Sequence, residues 1–197
     1  MERKDITKAS RTADGKIVTS CSVCKKQLKS EIIPEIKTVA LSYTKKVYTG
    51  ATIAAPKLTV TDRNGNVITS YTVTGLQNQT KVGQYKVTVK FNGNYDDSVA
   101  LSYTIVPKKT SSAKAELYGY DDVKFSWSKV TGASGYNVYY KKSSAGSYAF
   151  YKATTGTYTT KKDLSDGVKY TFKVVPYYRD ADGKKHYDSA QYKTASV

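Results

Sequence analysis

Two cysteines, Cys21 and Cys24, have the spacing of metal ligands or of a redox dithiol, and the chain has no others. Structural zinc takes four ligands, and one Cys-x-x-Cys supplies two. The single histidine, His186, lies far away in the turn-like run Asp180-Ala181-Asp182-Gly183-Lys184-Lys185-His186 and reads as exposed. A redox pair wants a helix N-terminus to hold its thiolate, and no helical period surrounds these residues. Three states stay open: a local disulfide, a partial zinc site, or free thiols. An exported chain favours the disulfide, although so short a loop constrains little.

Other chemistry finds no constellation. Catalysis needs an acid, a base or a nucleophile converging on one place. The 16 carboxylates are scattered among turns, as in Asp96-Asp97 and Asp121-Asp122. Paired Asp in turns serves the backbone, and a calcium site needs several oxygens at one locus. No catalytic residue and no cofactor are predicted. Asn78-Gln79-Thr80 has the form of a glycosylation acceptor and marks a surface loop.

Tyrosine is the residue in excess, at 19. Alternation puts Tyr136, Tyr140 and Tyr170 in a core. Tyr139, Tyr148, Tyr151, Tyr178, Tyr187 and Tyr192 are surplus to one sheet's interior. Exposed tyrosine gives large contact area at small entropic cost, which suits recognition. The plainer alternative is that these rings only cover sheet faces. Tyr139 is opposite in phase to Tyr136, Val138 and Tyr140, and Lys141 and Lys173 share its exposed phase. Tyr148 and Tyr151 follow the turn Ser143-Ser144-Ala145-Gly146 and are expected beside it. The predicted binding residues are thus Tyr139, Tyr148, Tyr151, Lys141 and Lys173, a surface suited to acidic glycans or an acidic protein.

The elements that must position these residues are strands. β-branched and aromatic residues fit a pleated, half-buried surface, and no helix-period segment of useful length exists. Strands are expected at 16–20 and 28–33, around the turn signal Asp14-Gly15 and the cysteine pair. Others come at 38–43, 57–61, 70–74, 84–91 and 99–105. In 84–91, Tyr85, Val87, Val89 and Phe91 alternate with Lys86, Thr88 and Lys90. Beyond the polar linker 106–112, Val123-Phe125-Trp127 and Tyr170-Phe172-Val174 repeat the pattern. Strands separated by turns at such intervals argue for sandwiches. The expected organisation is all-β: a short β-hairpin unit (1–33) too small to own a core, then two β-sandwiches in tandem (34–107 and 108–197).

Net charge is +16. Basic residues outnumber acidic ones eight to four in 1–33, eight to four in 34–107, and sixteen to eight in 108–197. The excess is spread along the chain and dominated by lysine, which speaks against nucleic acid, whose binders gather arginine and lysine on one face. A Lys-rich surface also guards sheet edges. Attraction to anionic wall polymers is the sharper reading. No apolar run is long enough to span a bilayer. No apolar stretch follows Met1-Glu2-Arg3-Lys4-Asp5, so an export signal is expected elsewhere in a longer parent.

Residues 110–197 resemble a fibronectin type III domain. The resemblance rests on Phe125-Ser126-Trp127, on Gly135-Tyr136-Asn137-Val138-Tyr139-Tyr140, and on Leu164-Ser165-Asp166-Gly167-Val168-Lys169-Tyr170. It implies that Trp127 and Tyr136 fill the core. It also implies that Leu164 and Tyr170 form a tyrosine corner, the tyrosine hydroxyl bonding nearby backbone. Asp166 departs from the family, where proline often precedes the glycine. Residues 35–107 are similar to an immunoglobulin-like repeat of gut Firmicutes surface proteins, through Tyr48-Thr49-Gly50, Val82-Gly83-Gln84-Tyr85, Gly93-Asn94-Tyr95 and Tyr103-Thr104-Ile105. The N-terminal piece, with Asp14-Gly15-Lys16 and Cys21-x-x-Cys24, resembles a segment that precedes such repeats.

These resemblances imply an extracellular, monomeric spacer or adhesion segment of a Gram-positive surface protein. A second reading is a binding module for a host surface protein, a glycan or an anionic wall polymer. A third is an accessory region of a secreted wall hydrolase or glycosidase.

Overall fold

The computed structural model describes residues 1–197. It is all-β, with no helix, and the chain forms two compact units. The first comprises residues 1–44, 54–78 and 85–103; the second comprises 45–53, 79–84 and 104–197.

In the first unit, β1 (Glu2–Thr7), β2 (Gly15–Cys21) and β3 (Gln27–Ile33) form an antiparallel three-stranded meander. The sequence pattern predicted a two-stranded hairpin. The added strand, Glu-Arg-Lys-Asp-Ile-Thr, is exposed throughout and shows no apolar alternation. Its extended form comes from pairing with β2, from Glu2 opposite Cys21 to Thr7 opposite Lys16.

Gly15 is required for a different reason than a hairpin turn. A Cβ there would sit 2.4 Å from the Ala9 nitrogen and 2.4 Å from the Thr7 oxygen. That tight crossing presses residues 8–14 onto the rest of the unit. Ala9 N–H donates to Asn94 O at 3.0 Å, and Asp96 N–H donates to Ala9 O at 2.9 Å. Arg11 pairs with Asp97 at 2.8 Å, and Asp14 with Arg63 at 2.6 Å. The N-terminal piece therefore leans on Arg63 and on Asn94, Asp96 and Asp97 of the same unit, as its lack of a core requires.

The other strands before residue 107 are β4 (Ile36–Leu41), β6 (Leu58–Asp62), β7 (Tyr71–Thr74) and most of β8 (Gly83–Phe91) and β9 (Ser98–Val106) in the first unit, while β5 (Lys45–Val47), the start of β8 and the end of β9 belong to the second. β4 pairs with β6, and a four-stranded sheet has the order β5-β9-β8-β7. In β8, Val87, Val89 and Phe91 are buried while Lys86, Thr88 and Lys90 are exposed, as the alternation predicts. β5 escaped the sequence pattern. It is three residues long and pairs in parallel with the end of β9, Lys45 opposite Thr104.

The second unit holds two facing sheets. β10 (Ala113–Leu117), β11 (Val123–Trp127) and β14 (Tyr158–Lys161) make one. β13 (Ala149–Thr154), β12 (Gly135–Lys142), β15 (Tyr170–Arg179) and β16 (Lys185–His186) make the other, with β17 (Lys193–Ser196) also on β15.

Between them Val123, Phe125, Trp127, Tyr136, Val138, Tyr170, Phe172 and Val174 form one buried cluster. Phe125 stacks on Phe172 at 5.3 Å, and Trp127 meets Tyr136 edge-on at 5.3 Å. Leu164 packs against this cluster. The Tyr170 hydroxyl accepts from Ser165 N–H at 3.2 Å, which is the expected corner. Asp166, where the resemblance led proline to be expected, bonds the loop backbone instead. Its carboxylate accepts from Gly167 N–H at 2.8 Å, and Gly167 adopts a φ of 68° that suits glycine.

Candidate functional site

The pleat of β12 and β15 builds the site. Tyr139 lies opposite Lys173 and Lys141 opposite Thr171, all on the outer side, while Tyr140 and Phe172 point to the core. Antiparallel neighbours this close place long side chains in contact. Lys173 Nζ sits 4.7 Å from the centroid of the Tyr139 ring, 4.4 Å from that of Tyr148 and 5.6 Å from that of Tyr192. Lys141 Nζ stands over the Tyr148 ring at 5.2 Å and donates to Ala145 O at 2.6 Å. Two ammonium groups thus contact one tyrosine ring.

The rings shield Lys173 from water, and burial lowers its pKa below the ordinary lysine value. Burial also raises Tyr139 and Tyr148, with Tyr187 and Tyr192 adding to the effect. Beside the lysines runs a row of hydroxyls. Ser143 Oγ and Thr171 Oγ1 are 2.8 Å apart, and Thr171 Oγ1 and Ser196 Oγ are 2.9 Å apart.

Four of the five predicted residues come together; Tyr151 does not. It stands on the other side of β13, edge-on to Tyr140 at 6.0 Å, and its hydroxyl donates to Thr160 O at 2.8 Å. Tyr148 and Tyr151 are three residues apart, and an odd spacing sends side chains to opposite faces. A bulge between Val138 and Tyr139 further displaces the register. Its place is taken by Phe150, opposite Tyr139 and edge-on to it at 5.5 Å, with 56% of its surface exposed. Even spacing from Tyr148 was the signal for Phe150. Tyr192 had no local signal, because the loop before β17 brings it in.

Outer-phase residues further along the same sheet are closed off. Asn137, Val175 and Tyr177 are all buried. Lys185 of β16 donates to Asn137 Oδ1 at 2.9 Å and lies 4.5 Å over the Tyr177 ring. His186 is half-buried, not exposed as its turn-like sequence suggested. Its Nε2 lies 2.6 Å from Asp180 Oδ2, and this bond holds the Asp180 carboxyl below its usual pKa.

Cys21 ends β2 and Cys24 lies on the turn joining it to β3, and both thiols are unbridged. Cys24 N–H lies 3.4 Å from Cys21 Sγ. Hydrogen bonds from Cys24 and from the Val23 backbone hold the Cys21 thiol below its ordinary pKa. No cluster of three or more Cys, His, Asp or Glu side chains is placed to hold a metal. Lys25 closes the turn at a φ of 62°, a conformation that glycine adopts freely and lysine does not.

No family model matches the chain, and no curated protein matches it. Solved structures of similar backbone include a two-domain fibronectin type III segment of chicken tenascin. It is 10% identical, covering 99% of this chain and 97% of that chain, at a TM-score of 0.44. A cytokine receptor complex is 12% identical, covering 98% and 95%, at 0.44. FN3tt is 23% identical, covering 47% and 92%, at 0.38.

Proposed function

We propose that this chain is a non-catalytic spacer and adhesion segment of a secreted or wall-attached bacterial surface protein. Its segments are 1–33, 34–107 and 108–197, and the last presents a binding face. One observation carries the binding role. Tyr139, Tyr148 and Phe150 are gathered with Lys141 and Lys173 on an outer sheet surface, where the core does not need them. A sheet face with only a structural duty needs polar residues to stay wet, not large rings shared between ammonium groups.

The experiment is a screen of the chain on host-protein and glycan arrays, beside a Tyr139→Ala, Tyr148→Ala, Phe150→Ala variant with its fold checked by circular dichroism. The parent is expected to bind at least one ligand, and the folded variant to lose most of that affinity. A ligand bound equally by both would remove this face. A blank array for the parent would leave the spacer role alone.

A further inference from the structure

Building on that face as a binding surface, we infer that its ligand is an acidic polysaccharide, with carboxylate or sulfate groups received between Lys141 and Lys173.

The charge of the sheet is one-sided. β12, β13, β15, β16 and β17 include Lys141, Lys142, Lys152, Lys173, Lys185 and further basic residues, and not one Asp or Glu. Lys173 is half-buried, and its ammonium makes no hydrogen bond and no ion pair; only ring faces surround it. An ammonium has three donors. Removing part of its water without supplying an acceptor is costly, and an anion laid over it restores the balance. Lys141, whose ammonium lies 5.2 Å from the centroid of the same Tyr148 ring, offers a second cationic contact beside it.

The surroundings select a sugar over an acidic peptide. The row Ser143–Thr171–Ser196 gives groups that both donate and accept, as sugar hydroxyls require. Phe150 and Tyr139 offer apolar ring surface to the C–H side of a pyranose. An acidic sugar presents an apolar face, hydroxyls and an anion together. An acidic peptide would use the two lysines and leave the hydroxyl row and the rings idle.

The test measures binding of the full chain to polygalacturonate, dextran sulfate, neutral dextran and poly-L-glutamate by calorimetry. It compares Lys141→Gln with Lys173→Gln as one double variant, and Lys114→Gln with Lys124→Gln on the opposite sheet as a control that removes equal charge. The parent should bind polygalacturonate or dextran sulfate, and which of the two is tighter identifies the anionic group. The first pair should weaken that binding about tenfold or more, and the control by about twofold at most. Equal loss in both pairs, or equal affinity for poly-L-glutamate, reduces the effect to bulk charge and overturns the inference. Binding of neutral dextran that is lost in Tyr139→Ala with Phe150→Ala, but kept in Lys141→Gln with Lys173→Gln, overturns the acidic ligand while preserving the face. No binding to any of the four polymers also overturns it, and the array screen then decides the face separately.

Discussion

The two sheets of the second unit carry the same residue types on their outer surfaces and use them differently. On β10, β11 and β14, Lys124 reaches Tyr118 at 5.8 Å and Tyr158 at 5.2 Å, and both rings are more than half exposed. Lys114 there is paired with Glu116 at 2.6 Å. On the broader sheet, three rings surround Lys173, the most exposed of them, Tyr192, at 44%, and no carboxylate answers it. The difference lies in what flanks the lysine. On the broader sheet Lys173 belongs to a central strand. Tyr139 comes from the strand on one side, Tyr148 from the turn after it, and Tyr192 from the loop before β17 on the other side. Counting tyrosines and lysines cannot separate these two surfaces; only the strand order can.

The largest expected effect strikes both faces at once, because they share one core. Trp127→Ala should cost about 3–5 kcal/mol, the usual penalty for emptying a buried aromatic site. Against a total of about 5–15 kcal/mol, that is enough to bring the second unit near unfolding. Calorimetry should show its transition falling steeply. An unmoved transition would show that the two faces do not depend on this ring.

A finer probe separates the faces. Lys173 should titrate below the ordinary lysine range, read from its side-chain resonances by NMR. Between that lowered value and about 10.4, the unfolded chain holds a proton that the folded chain has lost, so stability rises with pH across this window. Tyr148→Ala should admit water and move Lys173 back up, leaving the Lys124 resonances unaffected. If Lys173 does not move, ring shielding is not what sets it apart.

The smallest effect concerns the closed end of the broad face. Asp180 has a depressed pKa, so its contribution is present above about 3.9 and fades as pH falls through the lower folded value. Urea midpoints of the parent should drop on acidification through that range, and those of Asp180→Asn should drop less. Parallel curves would mean that the bond to His186 does not hold β16 in place.

Much of this was legible in the sequence. Period-two runs located β8, β11, β12 and β15, and they put Tyr139, Lys141 and Lys173 in one outward phase. Parity also holds the answer for Tyr151, whose odd spacing from Tyr148 turns it to the opposite face. Other features had no local trace. β1 is extended because β2 pairs with it, not because Glu2–Thr7 prefers a strand. Asn137, Val175 and Tyr177 have outward phase yet are buried, and Lys185 of β16 seals two of them. Tyr192 joins Lys173 only through a loop whose path depends on the whole sheet.

Trp127 is the chain's single tryptophan, and it lies wholly in the second unit. Excited at the red edge of the indole band, where tyrosine is silent, the protein therefore emits from that unit alone. Tyrosine excitation samples both units, and Tyr136, edge-on at 5.3 Å, is close enough to pass its energy to the indole. The ratio of the two emissions is a built-in optical readout of which half of the molecule has come apart.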